Sequence, residues 1–171
     1  MDTLTAIHTR RSVRSYTPEP VSEEEIQTLL EAAMTAPSAG NAQPWTFLVI
    51  TDPGLLARTP SVNPYAGMAA KAPLAILVCG DLTAEKYPGF WVQDCSAAIQ
   101  NLLLAARSIG LGSVWTGIHP MEDRVAKAKD LFRLPDHLIP LGLIVIGRPK
   151  GEQQHANRFA PEKVRRNIWQ D

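Results

Sequence analysis

The chain has 171 residues, 45% of them hydrophobic and 20% charged, a composition of ordinary globular proteins and a length sufficient to bury one core. Seventeen basic residues balance seventeen acidic ones, which excludes the broad positive excess of a nucleic-acid surface. No run approaches the roughly 18 uninterrupted apolar residues of a membrane span, and charge appears at Asp2 before any signal-length apolar run, so the chain reads as cytoplasmic.

Asp2 can cap a short helix running toward Thr9. Ser22 and Glu25 form a capping box, and the helix after it places Ile26, Leu29, Leu30 and Ala33 on one stripe until Pro37 ends it. Trp45–Thr51 reads as a strand, with Asp52-Pro53-Gly54 as the break. Leu74–Cys79 is a second buried strand. The longest helix signal follows Tyr87-Pro88-Gly89 and runs to about Ser108, with Trp91, Cys95, Ala98, Leu102 and Ala105 on one face and Ile99, Leu103 and Ala106 widening it. Such a helix is expected to be covered on both sides, centrally or at a subunit contact, and Gly110-Leu111-Gly112 stops it. Ser113–Trp115 is a short strand, Pro120–Leu131 a helix begun by proline, and Leu138–Ile146 a third long strand run ending at Gly147-Arg148-Pro149. Alternating strands and helices indicate α+β or mixed α/β, with one domain over 1–171 and residues 150–171 as a polar C-terminal arm.

Arg10-Arg11-Ser12-Val13-Arg14 offers fixed positive charge and hydroxyl donors suited to a phosphate, because the guanidinium fork donates two parallel bonds and keeps its charge. Taken alone, the cluster reads first as a solvated basic patch. The segment Pro37-Ser38-Ala39-Gly40-Asn41-Ala42-Gln43-Pro44 follows it, its path fixed by two prolines and a glycine. Ser38, Asn41 and Gln43 carry groups that can donate to or accept from the edge of a flat heterocycle. Downstream, Trp115-Thr116-Gly117 could bring backbone amides to such a ring, with core packing the other reading of Trp115. Gly147, Arg148 and Arg158 could close a phosphate pocket from its far side.

Other motifs fail. Gly110-x-Gly112 lacks a third glycine and follows a helix, unlike a dinucleotide fingerprint. Ser38 has no nucleophile-elbow glycine before it. His8, His119, His137 and His155 are scattered, and Cys79 and Cys95 make neither a metal pattern nor a disulfide framework, so no metal is expected. Both cysteines read as small buried hydrophobes, and Asp94, inside the long helix, as a capped or paired structural carboxylate.

In order and spacing these segments, together with Gln93–Ala106, resemble the nitroreductase-like flavoproteins from about Thr3 to Trp169. The resemblance implies an α+β fold with a central mixed sheet flanked by helices, built as an intertwined homodimer with FMN at the subunit interface. It implies that Arg10, Arg11, Ser12 and Arg14 meet the phosphate and the pyrimidine side of the ring. Pro37, Ser38, Asn41 and Gln43 would approach from the facing loop of the second subunit. Trp115, Thr116 and Gly117 would line the N5 side, and Gly147, Arg148 and Arg158 would finish the phosphate site. The implied activity is ping-pong transfer from NADH or NADPH to nitroaromatics, quinones or flavins, with no catalytic side chain. Flavin storage, flavin modification and dehalogenation are the alternatives. The chain departs from longer relatives at Thr116, where some carry an acidic residue, and at Ala156, where some carry lysine. Its shortness implies loss of the inserted helices that shape acceptor choice, leaving an open slot.

Overall fold

A computed structural model gives the architecture and describes residues 1–151 and 158–169. Asp2 caps α1 (Thr3–Thr9), its carboxylate accepting from the Thr5 amide at 3.1 Å. The capping box closes on α2 (Glu23–Met34): the Glu25 amide donates to Ser22 Oγ at 3.2 Å, and the Ser22 amide donates to the Glu25 carboxylate at 2.9 Å. Ile26, Leu29 and Ala33 are its buried stripe.

The sheet contains β1 (Trp45–Ile50), β2 (Leu74–Asp81), β3 (Gly112–Gly117) and β4 (Leu138–Gly147), in the order β1-β2-β4-β3 with every neighbour antiparallel. The parallel component expected of a mixed sheet is confined, among the described residues, to one isolated bridge between Ser12 and Ser113. Along β2 the side chains alternate between two cores: Leu74, Ile76 and Val78 on one side, Ala75, Leu77 and Cys79 on the other. Both faces are therefore covered, which explains why β2 reads as a continuous apolar run.

The long helix α4 (Trp91–Ser108) lies on the first face with α2, burying Cys95, Ala98, Ile99 and Leu102. It ends as its glycine predicted. Gly110 takes φ 86°, the Leu111 amide donates to the Ala106 carbonyl at 2.8 Å, and the Gly110 amide donates to Arg107 at 3.3 Å. The opposite face carries α3 (Pro53–Arg58), the 3₁₀ turns Thr59–Ser61 and Pro64–Lys71, and α5 (Glu122–Phe132). Cys79 and Cys95 fall in these different cores as free thiols, each pushed up to about 12 by burial.

Two local expectations need correction. Asp52-Pro53-Gly54 is more than a break, since the Asp52 carboxylate accepts from the Leu55 amide at 2.7 Å and starts α3. The helix expected from Pro120 begins at Glu122, because a cis His119-Pro120 peptide and an extended Met121 precede it. Among the described residues no helix is long and apolar enough to cross a membrane.

Candidate functional site

The arginine segment is fastened along the outer edge of β3. The Val13 amide donates to the Ser113 carbonyl at 3.0 Å, the Lys150 amide to Ser15 at 2.9 Å, and the Thr17 amide to Arg148 at 2.9 Å. Tyr16 is the bolt: its buried hydroxyl bonds to the carbonyls of Val13 and, at 3.1 Å, Val145, and burial raises its pKa. Gly112 makes the approach possible, because a Cβ there would stand 2.8 Å from Val13 Cγ1. With Val13 and Tyr16 turned in, Ser12 and Arg14 are exposed.

Three cations gather at this edge. Arg10 is held below the ordinary arginine pKa, first by desolvation and then by the charges of Arg158 and Arg11. Arg11 Nη1 donates to the carbonyls of His8 and Arg10 at 3.0 and 2.7 Å. None of the ion pairs among the described residues includes Arg10, Arg14 or Arg158. Like charges partly desolvated and set together favour an anion between them. A neighbouring cavity of about 460 Å³ is lined by Arg14, Tyr16, Gly67, Met68, Lys71 and Lys150. Lys71 and Lys150 were missed by sequence reasoning; their only signal is positive charge beside the ends of strands.

Arg148 behaves differently. Its guanidinium pairs with Glu25 at 2.8 Å and Glu19 at 3.1 Å, so it ties β4 to α2. Gly147 sits where a Cβ would meet Pro73 Cδ at 2.8 Å and Tyr16 Cδ1 at 3.1 Å, giving it a packing role. Arg158, and not Arg148, is among the charges that act on Arg10. Ala156 and His155 lie outside the described residues.

The amide loop is built at the other end of α4. Gly40, Asn41 and Gln43 take φ of 58°, 53° and 51°, a compact path that the Ser38 hydroxyl supports by accepting from the Gln43 amide at 3.0 Å. Asn41 Oδ1 accepts from Gln43 Nε2 at 3.1 Å, and both residues are exposed, as is Pro37. Asp94, 6% exposed, holds the loop to α4 by accepting from the Ala39 amide at 2.9 Å, so this carboxylate is structural. Arg107 at the far end of α4 donates to Thr9 Oγ1 at 2.9 Å, beside the arginines. At 1.5 Å per residue, Asp94 and Arg107 stand about 20 Å apart, so within one chain the amide loop and the arginine segment lie at opposite ends of α4.

Trp115 is exposed, with its indole across β4 where a Gly142 Cβ would meet Nε1 at 2.2 Å. Thr116 is buried and donates to the Leu143 carbonyl at 2.9 Å, leaving only its backbone for a ligand. Gly117 has open space where a side chain would stand, and its carbonyl accepts from Asn63 Nδ2 at 2.9 Å and Arg124 Nη1 at 3.1 Å. Asn63, 2% exposed, was also missed; the sequence shows it only as an Asn-Pro turn. A crowd of arginines, an open glycine edge and an amide loop suit a phosphate-bearing planar ligand such as FMN.

The family model described as "Nitroreductase family" matches residues 7–62 and 57–148. A protein of Methanothermobacter thermautotrophicus named "Putative NADH dehydrogenase/NAD(P)H nitroreductase" is 48% identical over 99% of this chain and 88% of its own length. A solved structure from Parabacteroides distasonis with the same name superposes with a TM-score of 0.94 at 41% identity, covering 98% of each chain. Another, a "putative nitroreductase in complex with fmn" from Desulfovibrio desulfuricans, gives 0.85 at 33% identity over 99% of this chain and 98% of its own. A match over most of the chain and 48% identity to a relative covered almost end to end lead to one conclusion: this chain belongs to the nitroreductase family.

Proposed function

We propose that the protein passes electrons from NADH or NADPH to small planar acceptors (quinones, nitroaromatics or free flavins) by a ping-pong cycle, in a homodimer whose two flavin sites each draw on both chains. At the coarser level it is an FMN-dependent NAD(P)H oxidoreductase, the class to which its family and relatives point. Bound FMN supplies the ring that accepts hydride from a nicotinamide and returns electrons to the acceptor.

The carrying observation is the arginine segment fastened to the β3 edge by the Val13–Ser113 bond and the Ser12–Ser113 bridge, where the charges of Arg158 and Arg11 act on Arg10. Arg10 and Arg158 hold the phosphate, with Arg11 and the Ser12 hydroxyl beside them. Arg14 presents positive charge to the pyrimidine side, joined by Lys71 and Lys150 on the same cavity. Trp115 and the backbone of Thr116 and Gly117 border the ring. Arg148 is left out of this cradle, since two carboxylates already neutralise it, and Gly147 serves packing.

Asn41 and Gln43 come from the second chain, on the loop that Pro37 and Ser38 shape. This arrangement reunites halves that one chain holds at opposite ends of α4. The exposed apolar residues Phe159, Val164, Ile168 and Trp169 suit an arm, within residues 150–171, that reaches the second chain. Two free buried cysteines suit the cytoplasm, where thiols stay reduced.

The test is the visible spectrum of the purified protein before and after anaerobic NADH or NADPH. A flavin spectrum that bleaches and recovers with a quinone supports the reading, whereas bound flavin that neither nicotinamide reduces points to a flavin carrier. Sharing between chains has its own test. An Arg10→Ala chain co-expressed with an Asn41→Ala chain restores roughly a quarter of the intact sites, because half the dimers are hybrids with one good site each. Additive, unrescued activity defeats the shared site.

A further inference from the structure

We infer that Tyr87 and Phe90 form an aromatic wall that receives the planar acceptor over the flavin served by the Pro37–Pro44 loop. The inference rests on the flavin reading above and changes one part of it: the slot expected to be open in so short a chain has a built side.

The wall is a turn. Tyr87-Pro88-Gly89-Phe90 has proline second and glycine third, Gly89 takes φ 93°, and the Phe90 amide donates to the Tyr87 carbonyl at 3.1 Å. This geometry sets the two rings 6.2 Å apart at 64°, an edge-to-face pair. Yet Tyr87 is 54% exposed and Phe90 49%, so the pair offers its apolar surface outward instead of burying it.

The segment is fixed at both ends. Asp81 Oδ1 accepts from the Thr83 amide at 2.8 Å and the Thr83 hydroxyl at 2.6 Å, and the Glu85 carboxylate accepts from the Trp91 amide at 3.0 Å at the start of α4. Its middle rests on the amide loop. Lys86 Nζ donates to the Gly40 carbonyl at 2.7 Å, and a Cβ on Gly40 would stand 2.8 Å from Tyr87 Cε2. Asn41 and Gln43 sit next to this contact, so whatever ring edge they meet lies beside the aromatic pair. A flat aromatic molecule stacked on that ring presents its edge or face to the wall, and a compact inorganic ion does not.

The test uses the FMN-loaded protein, oxidised, titrated with the neutral planar probe 2-naphthol and read by long-wavelength flavin absorbance. In Phe90→Ser, which leaves the Tyr87–Gly40 contact in place, and in Tyr87→Ala, the Kd for 2-naphthol rises about three- to tenfold, the scale of one aromatic contact. KM for 1,4-naphthoquinone rises in parallel, KM for ferricyanide stays within about twofold, and Tyr87→Phe behaves as wild type. Unchanged 2-naphthol binding in both variants overturns the wall, as does an equal rise in KM for ferricyanide or loss of FMN from both. A wild-type protein that retains no FMN instead sinks the reading on which the wall stands.

Discussion

Arg10 and Arg148 are the same residue type, each next to β-sheet backbone, and both were expected at a phosphate. The structure separates them by their neighbours. Arg10 faces Arg158 and Arg11, and the described ion pairs leave it out. Arg148 lies between Glu19 and Glu25, which raise its pKa and absorb its charge. A guanidinium crowded by cations gains from an incoming anion. One already paired with two carboxylates gains little, because a ligand must first displace them.

The sharpest way to break this comparison is FMN affinity in the two alanine variants. On the proposed reading, Arg10→Ala removes a charge-assisted phosphate contact of about 1.5–3 kcal/mol, a loss of about ten- to a hundredfold in FMN affinity by equilibrium dialysis. Arg148→Ala leaves FMN affinity within about threefold, the range of a distant screened charge. Equal losses in the two variants end the distinction.

The next largest effect tests how Arg10 is delivered. Gly112→Ala drives a methyl into Val13, a stiff β-branched side chain that is 5% exposed. Overpacking of this kind costs about 1–3 kcal/mol, read from urea unfolding, and FMN affinity falls with it because the arginine segment moves off the β3 edge. Destabilisation with unchanged FMN affinity detaches the segment from the site.

This dependence also marks what a sequence can and cannot carry. The Ser22 box, the Gly110 stop and the α4 stripe are local signals, set within one or two helical turns, and they were legible. The order of arginine segment, amide loop and glycine-ended strand was legible too. Whether Arg148 or Arg158 joins Arg10 was not, because it turns on Glu19 and Glu25, more than a hundred residues away, reaching Arg148 across the fold. The placement of Lys71, Lys150 and Asn63 was hidden for the same reason: tertiary packing sets it, and no periodicity announces it.

Asp94 sharpens the comparison from the amide-loop side. It is a buried carboxylate whose identified partner is a backbone amide, and its removal acts on the loop without touching the arginines. Asp94→Ala leaves the Ala39 amide unsatisfied, costing about 1–2 kcal/mol in urea unfolding, while Asp94→Asn keeps an acceptor oxygen and recovers most of that loss. An asparagine variant as unstable as the alanine one shows that charge, not acceptance, holds the loop.

The smallest effect belongs to Arg148 itself and appears in stability, not binding. Glu25 is held below its ordinary value of 4.5, first by the Ser22 amide and then by Arg148. A carboxyl depressed on folding contributes stability that is complete above its unfolded value and lost as pH falls through the folded one. Arg148→Ala removes both ion pairs, to Glu25 and Glu19, but keeps the capping bond, so the variant is less stable by roughly 0.5–1 kcal/mol near pH 7. The part of that gap owed to Glu25 narrows as pH falls through its depressed folded value, below 4.5, because protonated Glu25 has no charge left for Arg148 to meet. Denaturant midpoints for both proteins at pH 7 and at pH 3 read this directly. A gap that is constant with pH means Arg148 acts through packing of its stem against α2, and the contrast with Arg10 then rests on shape instead of charge.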